Sequence, residues 1–209
     1  MTRSGNILLW MILLIGGCRS NQMVDTLPFF NRPDFTPEWI DPNSSAYDSI
    51  HRIPPFRFLD QDSNWVTEQT VDGKIYVADF FFTTCPGICP KMTKCFKVLQ
   101  DSISLMNHVE LVSFSVMPWI DTVNKLKKYG EENGVNPAKW HLLTGDKSII
   151  YSLGRSSFFA DNNKLTDSTT FLHTDKMYLI DKSQQIRGVY NATNMDDISR
   201  VLTDIKALK

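Results

Sequence analysis

The pattern of apolar and polar residues predicts five strands between residues 75 and 190. Residues 75–82 are almost wholly apolar, as expected for a central strand that is covered on both faces of a sheet. Residues 109–116 and 140–143 are the next two predicted strands. Residues 177–180 and 186–190 form a predicted hairpin around three polar residues.

Helices are predicted between and after these strands. Residues 90–106 carry apolar side chains at helical spacing, which indicates an amphipathic helix. Asp121 is a candidate N-cap for a helix that runs towards Glu132, and Asp146 begins a shorter helix. Asn194 is a candidate cap for a last helix whose apolar residues form one stripe.

The order of these elements favours a thioredoxin-like α/β fold. A β-hairpin over residues 56–67 precedes the series and is interpreted as an N-terminal addition to that fold. In open α/β sheets, functional sites lie beyond the carboxyl ends of the strands. Cys85 follows one predicted strand and Met117 follows its neighbour, so both are expected at this functional edge.

Residues 1–17 are interpreted as a lipoprotein signal peptide. Arg3 gives a positive start, and residues 7–15 are apolar but too short for a spanning helix, which needs about 20 residues. Small residues then precede Cys18, which we expect to be lipidated. The alternative is an ordinary signal peptide with an incidental cysteine.

Residues 18–50 are interpreted as a lipid-anchored tether, and residues 51–209 as the folded domain. Four prolines interrupt any periodic pattern in the tether. Its aromatic residues predict that part of it lies against the domain. With 22 basic and 23 acidic residues, the whole chain has a net charge of −1, which argues against a nucleic-acid partner.

Two cysteines and a distant histidine carry the candidate chemistry. Cys85 and Cys89 are separated by three residues at the start of a predicted helix, so both sulfurs can meet one metal ion or each other in a disulfide. The helix N-terminus, Lys91 and Lys94 favour thiolate. With His173, which precedes a strand, the set suits monovalent copper. A purely structural disulfide is the alternative interpretation.

Residues 78–92 contain the run Phe-Phe-Phe-Thr-Thr-Cys-Pro-Gly-Ile-Cys-Pro, which resembles the signature of the SCO/SenC family. Four further segments fit this family in order: residues 111–116, 140–146, 171–174 and 186–190. The resemblance covers roughly residues 51–209. It implies a thioredoxin-fold protein that binds copper and assists assembly of the CuA centre of cytochrome c oxidase.

The resemblance also implies roles for particular residues. Cys85, Cys89 and His173 would be the copper ligands, and a disulfide between the two cysteines would release the metal. The implied partner is the oxidase subunit that carries CuA, or another copper protein. A lipidated Cys18 would hold the domain on the periplasmic side of a bacterial membrane.

Three further residues near the motif are singled out. Asp79 lies in an apolar strand six residues before Cys85, and thioredoxins carry a buried aspartate there that handles protons during thiol chemistry. The alternative is a carboxylate with only hydrogen-bonding partners. Cys95 falls on the apolar helix stripe and is interpreted as core. Many relatives carry aspartate where this chain has Met117, which is interpreted as packing, with a weak copper contact as the alternative.

Two other functions compete with copper delivery. A thiol–disulfide reductase acting on a partner's copper-site cysteines would use the same pair, but the usual thioredoxin spacing is two residues. The usual thioredoxin proline is also missing after Pro137. A peroxiredoxin-like peroxidase would need threonine where this chain has Phe82. The remaining histidines are interpreted as structural or exposed: His51, His108 and His141.

Overall fold

The computed structural model describes residues 27–161 and 171–208. The predicted signal peptide and the predicted lipidation site, Cys18, lie outside the described residues. Within these two ranges, no helix is both long and apolar enough to cross a bilayer.

The strands and helices follow one another in the predicted order. In sequence they are a 3-10 helix Ser45–Ser49, β1 Arg57–Leu59, β2 Trp65–Thr67, α1 Glu68–Val71, β3 Ile75–Phe81, α2 Cys89–Ser102, β4 Val109–Ser115, α3 Val123–Asn133, β5 Trp140–Leu143, α4 Lys147–Ser152, a π-helical turn Leu153–Ser157, β6 Lys176–Ile180, β7 Ile186–Asn191 and α5 Met195–Ala207.

Five of the strands form one mixed sheet in the order β5-β4-β3-β6-β7. Strand β3 pairs in parallel with β4, which pairs in parallel with β5, whereas β6 is antiparallel to both β3 and β7. Strands β1 and β2 form a separate antiparallel hairpin. Both the mixed α/β architecture and the added hairpin are therefore as the sequence predicts.

Alternate side chains of β3 face two different apolar cores. Tyr76, Ala78 and Phe80 face a core that includes the β1–β2 hairpin and the segment around α4. Ile75 and Val77 face a second core that includes α2 and α5. Every residue of β3 and β4 is buried, so the loops after these strands leave a rigid central support.

Two predicted helix boundaries are wrong. Thr122, not Asp121, is the N-cap of α3, and its hydroxyl accepts a hydrogen bond from Lys125 N–H at 3.4 Å. Asp121 is unavailable as a cap because its carboxylate is buried in other hydrogen bonds. Helix α2 ends at Ser102, and a tight turn from Met106 N–H to Ile103 O at 2.8 Å then leads the chain towards β4.

Residues 27–50, the described part of the predicted tether, pack on the rest of the chain. Phe29 and Glu38 form an isolated antiparallel bridge within it, with N–H···O distances of 2.8 and 2.9 Å. Arg187 of β7 donates a hydrogen bond to Pro28 O at 3.1 Å and stacks over the Phe29 ring. The Phe35 ring lies 6.3 Å from that of Phe159, beside the cavity described below. The expected contact between tether and domain is confirmed.

Candidate dithiol and metal site

The loop between β3 and α2 brings the two cysteines together at the carboxyl end of the central strand. Cys89 is the first residue of α2 and is buried, with 4% of its surface exposed, whereas Cys85 lies in the loop and is partly exposed. Cys85 N–H donates to Phe82 O at 3.4 Å, which closes a turn. Both cysteines are free thiols, and their side chains form a hydrogen bond.

The pKa values of the two thiols shift in opposite directions. Burial alone would raise the pKa of Cys85, but hydrogen bonds from the Cys89 thiol and from backbone groups of Gly87, Ile88 and Cys89 outweigh it and lower that pKa. Burial raises the pKa of Cys89, and its hydrogen bond with Cys85 raises the pKa further. Cys85 is therefore the more accessible and more readily ionised sulfur, and Cys89 is the sheltered one.

Asp79 lies beneath this pair in β3. Only 3% of its surface is exposed, and its Oδ1 has no hydrogen-bond partner among the described residues. Burial raises the pKa of Asp79 to about 7, although a hydrogen bond with the Ser113 side chain opposes the change. The negative charge of Asp79 in turn raises the pKa of Cys89, so the two groups are electrostatically linked.

His173 is exposed and lies just before β6, at the rim of an open cavity of about 850 Å³ that Ile88 also lines. The segment that carries it is held near the cysteine loop, because the rings of Phe171 and Phe82 pack edge to face at 5.2 Å. Among residues 27–161 and 171–208, no three His, Cys, Asp or Glu side chains are arranged to hold a metal ion together. The structure thus brings the two sulfurs together and leaves the imidazole at the rim.

The donor chemistry of these residues fits a soft monovalent metal. Two adjacent sulfurs, one already inclined to ionise, match the preference of Cu(I) for thiolate, and imidazole is a compatible third donor. The open cavity at His173 leaves space for its ring to turn. Cys85 and Cys89 would hold the metal, with His173 as the additional ligand.

Asp121 is the residue near the site whose role the sequence did not reveal. It is fully buried, and its Oδ2 accepts hydrogen bonds from Thr83 N–H at 3.1 Å and from the Ser115 hydroxyl at 2.6 Å. Its Oδ1 accepts a hydrogen bond from the Thr83 hydroxyl at 2.5 Å. The available signal was the occurrence of Thr83 and Ser115 at the ends of two apolar strands, since buried hydroxyls need partners.

The other residues singled out from the sequence lie around the site. Met117 is partly buried against the first core, and its N–H donates to the Ser115 hydroxyl at 3.2 Å. Cys95 is buried in α2, as its place on the stripe predicts. His51 and His141 have structural contacts outside the dithiol loop. A ring nitrogen of His51 lies 2.8 Å from Ser157 O, and the ring of His141 contacts carboxylates.

Comparison with known proteins gives one consistent family. A family model described as SCO1/SenC matches residues 45–209. The structure of a SCO1/SenC family lipoprotein from Bacillus anthracis is 29% identical, with a TM-score of 0.67, over 76% of this chain and 95% of the other. BsSco, described as a member of the Sco family of cytochrome c oxidase assembly proteins with a disulfide switch, is 28% identical, with a TM-score of 0.65. The match to BsSco covers 76% of this chain and 93% of BsSco.

A third similar structure contains a metal. Arabidopsis thaliana ScoI with copper bound is 29% identical to this chain, with a TM-score of 0.58, and the match covers 73% of this chain and 97% of ScoI. These three similarities also agree with the thioredoxin-like fold predicted from the order of the elements.

Proposed function

The chain belongs to the SCO1/SenC family, and from that premise we propose that it is a copper-binding assembly factor for a terminal cytochrome c oxidase. Cys85 and Cys89 are the proposed thiolate ligands, and His173 is the third. The recipient is the CuA-bearing subunit or another copper protein. The observation that carries the proposal is the hydrogen-bonded pair of thiols beside the cavity at whose rim His173 lies.

The unequal acidities of the thiols suit stepwise metal capture. Cys85 ionises more readily and is partly exposed, so it is suited to make the first contact with incoming Cu(I). Cys89 loses its proton as the second bond forms, because metal ligation requires thiolate. Asp79, with a pKa raised to about 7, lies close enough to interact with Cys89 electrostatically and is the proposed proton acceptor.

The same pair supplies a redox gate. Only reduced sulfurs bind the metal, so formation of a Cys85–Cys89 disulfide would release it. That step removes two electrons from the two thiolates, and a disulfide on a partner protein is the proposed acceptor, which takes up these electrons and two protons from solvent to become two thiols. The description of a disulfide switch in BsSco supports this part of the proposal.

Membrane attachment completes the proposal. A lipidated Cys18 would hold the domain on the periplasmic side of the membrane, and the similarity to a lipoprotein of Bacillus anthracis supports the lipid anchor. Attachment to the same surface as the oxidase raises the effective concentration of the two proteins for each other.

A second candidate function is thiol–disulfide reduction of a partner's copper-site cysteines. It is favoured by the contrast between partly exposed Cys85, with its lowered pKa, and buried Cys89, since a reductase needs one attacking and one resolving thiol. In this function His173→Ala would leave the reductase rate unchanged, whereas Cys85→Ser would abolish it. Asp79→Asn should slow thiol oxidation in either function, and an unaltered rate would remove its proton role.

Anaerobic titration of the reduced full chain with Cu(I), in competition with a chelator, tests the copper proposal. We expect one Cu(I) per chain, loss of tight binding in Cys85→Ser and Cys89→Ser, and at least tenfold weaker binding in His173→Ala. Cys95→Ser and His51→Ala are the matched controls and should bind as wild type does. Equal affinity in wild type and His173→Ala would contradict the proposed third ligand.

A further inference from the structure

The buried carboxylate of Asp121 connects two loops at the functional edge of the sheet. It lies between β4 and α3, yet two of its three short hydrogen bonds come from Thr83, in the loop after β3. The third comes from Ser115 at the end of β4. A buried charge is costly unless several donors satisfy it, so this group of contacts stabilises one particular arrangement of the two loops.

The segment that Asp121 holds touches both cysteines. Phe82 O accepts the Cys85 N–H, and a backbone hydrogen bond from Phe82 reaches the Cys89 thiol. Thr83 follows Phe82 directly, and both its N–H and its hydroxyl are bound by Asp121. A shift of Thr83 would therefore displace the peptide groups that contact the two sulfurs.

We propose that Asp121 is a positioning residue for the dithiol. Its carboxylate anchors the Phe82–Thr83 turn and thereby keeps Cys85 within bonding reach of Cys89. The importance of this role for copper delivery rests on the proposed function, because the dithiol is also the proposed ligand pair. The positioning itself is measurable without copper.

The expected consequence is a change in disulfide stability. Two thiols that are held in contact react as if each were at high concentration, because little further freedom is lost when they join. Loosening the turn lowers this effective concentration. The disulfide between Cys85 and Cys89 then becomes easier to reduce, even if the rest of the domain is folded.

The test is equilibration of the full chain with glutathione redox buffers, followed by trapping and peptide mass spectrometry to measure the Cys85–Cys89 disulfide. In Asp121→Ala we expect the equilibrium constant for the disulfide to fall about tenfold, which is ~30 mV for a two-electron couple. Thr83→Val, which loses only the hydroxyl contact, should give about a threefold fall. Thr83→Ser keeps the hydroxyl and should match wild type.

Asp181→Ala is the matched control for a general loss of stability. Asp181 is also a buried carboxylate that accepts two backbone N–H bonds, from Ser183 at 2.9 Å and Gln185 at 3.0 Å. It follows Ile180, which pairs with Tyr76 near the start of β3, and so lies at the end of the sheet opposite Cys85. We expect a lower thermal midpoint and an unchanged disulfide equilibrium.

The outcomes separate this inference from the proposed function. An unchanged disulfide equilibrium in Thr83→Val and in folded Asp121→Ala would overturn the positioning role, whatever the wild-type chain does with copper. A shift in Asp181→Ala as large as in Asp121→Ala would overturn it as well. If Asp121→Ala does not fold, Thr83→Val and Thr83→Ser decide. A wild type that binds no copper, with a Thr83-dependent equilibrium, would contradict only the proposed function.

Discussion

Two buried carboxylates on adjacent central strands have opposite electrostatic properties. Glu110 of β4 has Lys74 Nζ at 2.5 Å and His141 Nε2 at 3.6 Å, and these cations lower its pKa although burial alone would raise it. Asp79 of β3 is more deeply buried, its side-chain hydrogen bond is with neutral Ser113, and burial raises its pKa to about 7.

The difference shows that the partners of a buried acid, together with the depth of its burial, decide whether it stays charged. Glu110 sits in a compensated cluster beside β5, so it stays charged and contributes to stability. Asp79 lacks a compensating cation among its described contacts and exchanges a proton near neutral pH, within electrostatic reach of Cys89. The arrangement around Glu110 is typical of a structural ion pair, whereas that around Asp79 is typical of a group that transfers protons.

The largest expected effect comes from breaking the compensated cluster. Glu110→Ala leaves Lys74 and His141 without their shared carboxylate, so we expect the free energy of unfolding to fall by about 2–3 kcal/mol at pH 7. Chemical denaturation measures this change. Asp62→Ala, which removes the solvent-accessible ion pair with Lys127 at 3.2 Å, is the control and should cost about 0.5 kcal/mol or less.

The uncompensated acid should behave in the opposite way. Folding raises the pKa of Asp79 from 3.8 to about 7, so the folded protein binds more protons than the unfolded chain between these values. Stability therefore falls as pH rises from about 4 to 7. Asp79→Asn should be about 1–2 kcal/mol more stable than wild type at pH 8, with the difference shrinking towards zero near pH 4. A destabilised variant at pH 8 would show that Asp79 has an undetected cationic partner.

A smaller effect is expected at His141. Burial lowers its pKa, but Glu110 and Asp60 outweigh this and raise the pKa above 6.5. Because the folded pKa is the higher one, the stabilisation is complete below pH 6.5 and is lost as pH rises through the folded pKa. We expect His141→Gln to cost about 1 kcal/mol at pH 5.5 and less at pH 9. A cost that is equal at both pH values would show that His141 acts by packing alone.

Local patterns were sufficient to predict most of the fold and half of the proposed site. The apolar run of β3, the helical stripe of α2 and the spacing of Cys85 and Cys89 all concern neighbouring residues. Their geometry follows from strand and helix periodicity, which the structure confirms. The sequence also predicted that Asp79 is buried, because every neighbour of it in the strand is apolar.

Contacts between distant residues could not be predicted in the same way. The position of His173 depends on the packing of Phe171 against Phe82, and no periodic pattern links these two rings. Asp121 followed by Thr122 offers two good capping residues, and only the burial of the first decides between them. Tertiary burial is what distinguishes a helix cap from a loop anchor.

X-ray absorption at the copper K edge, on the Cu(I)-loaded full chain, tests the central claim most directly. We predict two sulfur ligands and one nitrogen ligand in wild type, with the nitrogen lost in His173→Ala and retained in His51→Ala. Sulfur-only coordination in wild type, or a nitrogen ligand that persists in His173→Ala, would contradict the assignment of His173 to the site.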